Sequence, residues 1–205
     1  MTVTLGLLLF DGVEELDAIG PWEVLRYAEL NTAADLRVVS LAETAGEIAC
    51  AKGLRVRAEQ SIAEAPQLDV LLVPGGQGTR REVGNERLLS WIAAQAEGCR
   101  WVTSVCTGAR LLLAAGPARG KRITTYYAAI EELRAGGLAA EVLEGVRFVR
   151  DGQLVTAAGV SAGIDMSLWL LGQLFTPALA REVQQRIEYF PAPPYTAETG
   201  QPAAA

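Results

Sequence analysis

The sequence predicts a three-layer α/β sandwich, in which a mostly parallel central sheet carries helices on both faces. Continuous apolar runs, such as residues 3–10 and 69–73, have the composition of strands that are buried on both faces of a sheet. Segments with the helical spacing of apolar residues, such as 86–96, alternate with these runs along the chain. Strands that alternate with helices indicate βαβ units, whose strands are parallel. The chain has 205 residues and neither repeats nor linkers, so we expect residues 1–195 to form a single domain.

The first half of the chain is predicted to contain three buried strands, a pair of short strands and two helices. A first helix is expected to open at Gly20-Pro21, because proline in a first turn costs no hydrogen bond. The strand before Pro74-Gly75-Gly76 ends abruptly at that turn. In order, the elements are a strand over 3–10, the helix from Gly20, a strand over 36–41, short strands within 47–58, a strand over 69–73 and a helix over 86–96.

The second half is predicted to alternate in the same way and to end in helices. Gly116-Pro117 stops one helix, and Asp151-Gly152 between two apolar runs is a strong hairpin signal. We expect residues 196–205 to form a disordered tail. The predicted strands are 101–105, 123–126, 146–149 and 154–157, and the predicted helices are 107–115, 128–135, 162–174 and 178–187.

Composition disfavours several classes of partner and location. The net charge of −6 repels phosphate backbones, so nucleic acid is not a predicted partner. The apolar runs are shorter than the roughly 18 residues that a membrane helix needs, so no membrane association is predicted. The N-terminus reads Met-Thr-Val-Thr without a basic leader, and we therefore expect a cytoplasmic protein.

The cysteine and histidine counts restrict the chemistry further. Cys50, Cys99 and Cys106 form no CxxC pair, which favours reduced thiols over a disulfide framework or a zinc site. The chain contains no histidine, which excludes a Ser-His-Asp triad, a Cys-His pair and histidine metal ligation. We predict neither a metal nor a cofactor, so the reactive groups must be cysteine, carboxylates, hydroxyls, Lys, Arg and backbone amides.

The segment Ser104-Val105-Cys106-Thr107-Gly108 has the form of a nucleophile elbow, a tight turn between a buried strand and a helix. Such a turn needs small residues two positions before and after the nucleophile, and Ser104 and Gly108 meet that need. The amides and dipole of the helix N-terminus are expected to favour a thiolate and lower the pKa of Cys106. The other interpretation is an inert core cysteine, since free cysteines are often buried, but the Gly108 spacing favours the reactive one.

Two further segments have both a structural and a functional interpretation. Gly75-Gly76 is either a simple strand-ending turn or a pair of free amides beside Cys106 that could hold developing negative charge. Gly159 to Gly163 matches G-x-S-x-G, but without histidine Ser161 has no general base of the usual kind. We therefore expect Ser161 to cap the helix that follows, with Asp165 in its first turn.

Pro74-Gly75-Gly76 and Cys106-Thr107-Gly108, together with further segments, resemble the ThiJ/PfpI superfamily, whose fold is class I glutamine amidotransferase-like and flavodoxin-like. Within it the chain is most similar to the isocyanide hydratase branch. The similar segments span nearly the whole chain in the family's order: 16–21, 74–76, 102–108, 120–125, 162–165 and 188–194.

The resemblance implies roles for individual residues. Cys106 would be the nucleophile, and Asp17 would be the acidic residue next to the thiol, sharing one proton with it. Without the resemblance, Asp17 is better interpreted as an ordinary carboxylate near a helix start. Thr107 would hydrogen-bond the reacting atoms, and Gly76 would offer a backbone amide. Tyr126-Tyr127 stands where related sequences often carry His-Trp, so Tyr126 either lines the substrate site or simply packs with its hydroxyl satisfied.

The implied reaction is hydration of an isocyanide to an N-formamide through a thioimidate on Cys106, with a small-molecule substrate, no cofactor and a homodimer as the assembly. Three alternatives remain open. Glyoxalase or deglycase chemistry usually enlists a histidine, which this chain lacks. A cysteine redox-sensing stress protein is also compatible with a thiol beside a carboxyl group. The ligand-binding module of a transcription regulator is disfavoured by the acidic charge.

Overall fold

The structure is a computed structural model that describes residues 2–191, and the predicted tail at 196–205 lies outside the described residues. Eleven strands lie in the described range: β1 (Val3–Leu8), β2 (Leu36–Ala42), β3 (Gly46–Ala49), β4 (Arg55–Ala58), β5 (Gln60–Ser61), β6 (Val70–Val73), β7 (Trp101–Val105), β8 (Arg122–Ile123), β9 (Glu141–Val142), β10 (Phe148–Asp151) and β11 (Leu154–Ala157). The α-helices of the same range are α1 (Glu15–Asn31), α2 (Thr79–Glu82), α3 (Glu86–Gly98), α4 (Gly108–Ala115), α5 (Ile130–Gly136), α6 (Ala162–Leu174) and α7 (Pro177–Arg186).

The central sheet has seven strands in the order β10-β11-β7-β6-β1-β2-β5. All neighbouring pairs are parallel except β10 and β11, which form the predicted hairpin around Asp151-Gly152 at one edge. Helix α1 packs against α6 and α7, whereas α3 packs against α4. These two helix groups cover the two faces of the sheet, so the predicted three-layer sandwich is confirmed.

The core lies where the parallel strands are sandwiched between the helix layers. The central strands β6 and β7 are buried along their whole length, as the continuous apolar composition of β6 predicts, and β7 also buries Thr103 and Ser104. Two small sheets lie outside the central one, an antiparallel pair of β3 with β4 and a parallel pair of β8 with β9. The short elements α2, β5 and β9 were not predicted, because none of these two- to four-residue segments contains an apolar run.

The start of the first helix differs from the prediction and brings a carboxylate into the helix. Helix α1 begins at Glu15, so Pro21 lies inside it rather than in its first turn. A proline inside a helix removes one backbone hydrogen bond, and the ring of Pro21 packs against α6, where a Cβ added at Gly163 would meet Pro21 Cγ at 3.0 Å. As a consequence, Asp17 occupies the first turn of α1 and is fully buried.

Candidate active site

Four loops meet at the carboxyl ends of β1, β6, β7 and β11, which is the edge where open parallel sheets bind ligands. Cys106 follows β7, and Gly75 follows β6. Val160 lies in the loop between β11 and α6, and Asp17 enters from α1 after β1. The structure therefore brings the sequence-predicted nucleophile, carboxylate and glycine turn to one edge of the sheet.

Cys106 adopts the strained backbone conformation that a nucleophile elbow requires. Its φ is 57°, in the left-handed region that residues with a Cβ rarely occupy. The surrounding loops over-determine this geometry, since its N–H donates to Ala158 O at 2.8 Å and its carbonyl accepts from Thr125 Oγ1 at 2.8 Å. The side chain is only 5% exposed, so the thiol lies just below the protein surface.

The tightness of the elbow explains why Gly108 follows Cys106 at this spacing. A Cβ added at Gly108 would lie 2.2 Å from Val73 O and 2.8 Å from Pro74 O, both of which are backbone atoms of the neighbouring strand end. Backbone cannot give way as a flexible side chain can, so no side chain fits at this position. The predicted need for a small residue at Gly108 is thereby accounted for.

Gly108→Ala is expected to lower the free energy of unfolding by about 3 kcal/mol, because the elbow must open to relieve the overlap with Val73 O. Urea denaturation measures the change. Gly136→Ala is the matched control, since Gly136 lies in α5 with nothing within 4 Å of an added Cβ, and it should be neutral or slightly stabilising. Equal stability of the two variants would contradict the tight elbow.

Asp17 is a buried carboxyl group with one free oxygen. Its Oδ2 accepts the N–H of Gly75 at 3.0 Å, whereas Oδ1 is buried with no hydrogen-bond partner among residues 2–191. Burial raises the pKa of Asp17 to about 7, although the Gly75 N–H and the Cys106 thiol act in the opposite direction. Asp17 can therefore hold or release a proton near neutral pH, and it has an oxygen free to exchange that proton.

Cys106 and Asp17 form an electrostatically coupled pair. Burial, followed by the charge of the Asp17 carboxylate, raises the pKa of the Cys106 thiol to about 12. The N–H groups of Thr107 and Val160 lie against the Cys106 sulfur and lower its pKa, but they do not outweigh burial. The prediction that the helix N-terminus lowers this pKa is therefore wrong in its net direction. The first proton to leave the pair belongs to both groups, as two interacting sites require.

The amides of the glycine turn are hydrogen-bonded to the side chains of Asp17 and Thr107. The N–H of Gly75 is taken by Asp17, and the N–H of Gly76 donates to Thr107 Oγ1 at 2.9 Å. The expectation of two unpaired amides for an oxyanion is therefore wrong, because both amides already hold side chains in place. A Cβ at Gly75 would meet Thr107 N at 2.5 Å, so the absence of a side chain lets the turn approach the elbow.

Thr107 is fixed by several partners in addition to Gly76. The hydroxyl of Thr79, at the start of the short helix α2, lies 3.3 Å from Thr107 Oγ1 and donates to Gly76 O at 2.7 Å. Thr107 thus belongs to a hydroxyl network that orders the turn, and its backbone N–H faces the thiol. Sequence reasoning missed Thr79, because a single threonine in a four-residue helix carries no motif.

The loop before α6 supplies the other amide at the thiol, from Val160. Val160 has a φ of 47°, which is unfavourable for a β-branched residue. The loop is anchored by Arg147, whose Nη2 donates to Ser161 Oγ at 3.2 Å and whose Nε donates to Asp165 Oδ2 at 2.6 Å. The sequence places Ser161 correctly just before α6, but its side chain makes no capping hydrogen bond to the helix. The literal G-x-S-x-G match thus marks the loop that holds Val160, and its serine is paired with arginine.

Tyr126 lies near the thiol and packs against its neighbours. Its ring contacts that of Tyr127, with centroids 4.6 Å apart, and a Cβ at Gly159 would meet the Tyr126 ring at 2.7 Å. The Tyr127 hydroxyl, followed by burial, raises the pKa of Tyr126, and Cys106 contributes to this shift. Tyr126 therefore forms part of the surroundings of Cys106 and packs against Tyr127 and Gly159.

The remaining thiols have different surroundings. Cys99 is buried, and burial and then Asp69 raise its pKa to about 12, while Cys50 is buried beside the loop that precedes α1. Neither has a positive φ. Among residues 2–191 no group of three or more metal-ligating side chains occurs, and no helix in this range is long and apolar enough to cross a membrane.

Comparison with known proteins gives consistent family and fold matches. The model of the DJ-1/PfpI family matches residues 3–173. An isonitrile hydratase from Pseudomonas putida is 38% identical over 205 residues, which are all of this chain and 86% of that protein. The Parkinson disease protein 7 homolog of Danio rerio is 24% identical over 184 residues, which are 87% of this chain and 93% of that protein.

A solved structure has the same fold over nearly the whole chain. It is that of a THiJ/PfpI family protein from Pseudomonas syringae, which superposes with a TM-score of 0.88 at 26% sequence identity. The match covers 97% of this chain and 80% of that one. The elbow, the carboxylate and the glycine turn all lie within residues 3–173, which the family model matches.

Proposed function

We propose that this chain, which belongs to the DJ-1/PfpI family, is a cysteine-dependent hydratase that converts an isocyanide into an N-formamide. Isonitrile is another word for isocyanide, so the relative from Pseudomonas putida carries the name of this activity. The observation that carries the proposal is the coupled pair of Cys106 and Asp17 in a chain without histidine. This pair supplies a nucleophile and a proton, which are what the reaction needs.

The first step is addition of the thiol across the terminal carbon of the isocyanide. Cys106 gives its proton to Asp17 and attacks that carbon, forming the C–S bond. Transfer of the proton neutralises Asp17 and removes the charge that raises the thiol pKa, while the N–H groups of Thr107 and Val160 stabilise the thiolate. Asp17 then delivers the proton to the same carbon, and the product is a thioimidate, R–N=CH–S–Cys106.

The second step is hydrolysis of the thioimidate. Water adds to the carbon, its hydroxyl forms the C–O bond, and its other proton neutralises the nitrogen. The tetrahedral adduct collapses by breaking the C–S bond, which releases R–NH–CHO and returns the proton to the Cys106 and Asp17 pair. Asp17, with a pKa of about 7, is suited to accept and return a proton in both steps.

Two alternatives, glyoxalase or deglycase chemistry and redox sensing, have less support from the geometry of the site. Glyoxalase or deglycase chemistry lacks the histidine that it usually enlists. Redox sensing favours an accessible thiol of low pKa, whereas Cys106 is 5% exposed and its pKa is raised. Both features are compatible with a nucleophile that is activated only when Asp17 takes its proton.

The proposed function includes a small-molecule substrate and a homodimer, as the resemblance implies, and a cytoplasmic location, as the composition of the N-terminus predicts. The dimer is tested directly by sedimentation equilibrium of the purified protein. A mass near twice the 21.8 kDa of one chain would support it, and a mass of one chain would reject it.

The activity is tested by incubating the purified protein with p-nitrophenyl isocyanide and measuring the corresponding formamide. We expect turnover and a transient adduct on Cys106 in the intact mass spectrum. Methylglyoxal and hydrogen peroxide are the parallel substrates. Turnover of methylglyoxal, or selective oxidation of Cys106, without any formamide would reject the hydratase and favour one of the alternatives.

Tyr126→Phe is expected to change kcat/KM for the isocyanide by less than about threefold, because Cys106 acts on the pKa of Tyr126 through its charge and not through a hydrogen bond. Tyr126→Ala, which removes the ring that packs over Gly159, is expected to raise KM more than it lowers kcat. Steady-state kinetics of both variants provide the measurement. A large loss of kcat in Tyr126→Phe would instead assign the hydroxyl to the chemistry.

A further inference from the structure

A cavity of about 430 Å³ lies between helices α2, α4 and α5, and none of its lining residues belongs to the thiol site. Its volume is within the range of roughly 300–1,000 Å³ that is typical of small-molecule sites. The apolar part of the wall includes Leu113, Leu133 and Leu138. Leu138 is 47% exposed, so the cavity opens to solvent along an apolar rim.

The charged part of the wall contains a buried arginine that is not fully paired. The side chain of Arg110 is 9% exposed, and its Nη2 pairs with Glu132. Its Nε is buried and has no hydrogen-bond partner among residues 2–191. Burial of a guanidinium group is costly unless the group is well paired, and Glu132 is itself 59% exposed, so it screens the charge only partly.

A second arginine adds to the positive charge at the cavity. Arg80 of α2 lines it, is exposed and makes no ion pair with any residue of the described range. The wall thus carries two guanidinium groups against one carboxylate in a chain whose net charge is −6. This local excess, next to leucine side chains, is complementary to a ligand that has one negative charge and an apolar body.

We propose that this cavity binds a small organic carboxylate with an apolar chain or ring. The carboxylate pairs with Arg110 and Arg80, whose planar forks match a carboxylate in geometry. The apolar part lies against Leu113, Leu133 and Leu138 and leaves water. The site is separate from the proposed hydratase reaction and does not depend on it.

Isothermal titration of the intact protein with octanoate tests the proposal, with octan-1-ol as the uncharged match and octylammonium as the cationic one. We expect saturable binding of octanoate and at least about tenfold weaker binding of the other two. Equal affinity for octanoate and octanol would overturn the charge recognition. Absence of octanoate binding would overturn the site.

Exposed variants locate the binding without disturbing the core. Arg80→Gln is expected to weaken octanoate binding by about 3- to 10-fold, and Leu138→Glu by more, because it places a like charge on the rim. Arg181→Gln on α7 and Leu30→Glu on α1 are matched controls at exposed positions outside the cavity, and they should bind as the unmodified protein does. Equal weakening by a variant and its control would place the ligand elsewhere and reject the proposal.

Discussion

Cys106→Ala is expected to lower kcat/KM for isocyanide hydration by roughly 10³-fold or more, because no other group at the site can form the C–S bond. The chain should remain folded, since alanine can occupy the elbow at the same φ of 57° with a smaller side chain. The measurement combines formamide production with intact mass, and the substrate adduct should disappear together with activity.

Cys99→Ala is the matched control for this experiment. Cys99 is also 5% exposed, and its pKa is likewise raised to about 12, but it has a φ of −71° and its neighbouring carboxylate, Asp69, accepts the N–H of Thr4. It should therefore lose stability as any buried truncation does, while activity per folded molecule stays within about twofold. If activity survived in Cys106→Ala and fell in Cys99→Ala, the nucleophile would be Cys99 and the proposal for Cys106 would be wrong.

Asp17→Asn is expected to lower kcat by about 10²- to 10³-fold, because an amide cannot accept and return the proton in either step. The same change should make the thiol more acidic, since it removes the carboxylate charge that raises the pKa of Cys106. We therefore expect alkylation by iodoacetamide at pH 9 to become faster in the variant while turnover becomes slower. Parallel loss of both would indicate a damaged site and contradict the proton-transfer role.

Asp151→Asn provides the control for charge. Asp151 ends β10 in the hairpin at the opposite end of β11 from the thiol, so its loss should affect neither alkylation nor turnover. Both variants change the chain charge equally. A similar response of Asp17→Asn and Asp151→Asn would assign the effect to net charge.

The buried Asp17 also predicts how stability changes with pH. Its pKa is raised from 3.8 to about 7, so the folded state holds this proton more tightly than the unfolded state. The free energy of unfolding of the unmodified protein should therefore fall, relative to Asp17→Asn, as pH rises from about 4 to 7. The pH-dependent part of the difference in free energy of unfolding between the two proteins would reach at most about 4 kcal/mol above pH 7 and would vanish below pH 4. Urea titrations at pH 4, 5.5 and 8 measure it, and a constant difference would contradict the raised pKa.

The fold was predictable wherever a strand or helix carried its own pattern. β7 has the predicted bounds, because its apolar residues lead directly into the elbow at Cys106, and α6 matches its predicted range of 162–174, because its apolar residues recur at helical spacing. The start of α1 was not predictable, because proline normally marks a first turn. In the folded chain Pro21 packs against Gly163 of α6, a contact between residues 142 positions apart that no local pattern contains.

The residues that form the site could be predicted from the sequence better than their pKa values could. Spacing around Cys106 identified the elbow, since a tight turn imposes local demands on Gly108. The raised pKa values could not be predicted, because they arise from the burial of Asp17 and Cys106 and from their mutual distance. The occupation of the Gly75 and Gly76 amides depends in the same way on where Asp17 and Thr107 lie in space.

The shallow burial of Cys106 also has a consequence for the width of the molecules that can reach it. An isocyanide presents a linear, rod-like end to the protein, whereas a maleimide presents a broad planar ring. Because Cys106 is only 5% exposed, we expect the thiol to react more readily with a linear isocyanide than with a planar maleimide of comparable electrophilicity. Among reagents of similar reactivity, the rate of Cys106 labelling should therefore fall as the width of the reagent increases.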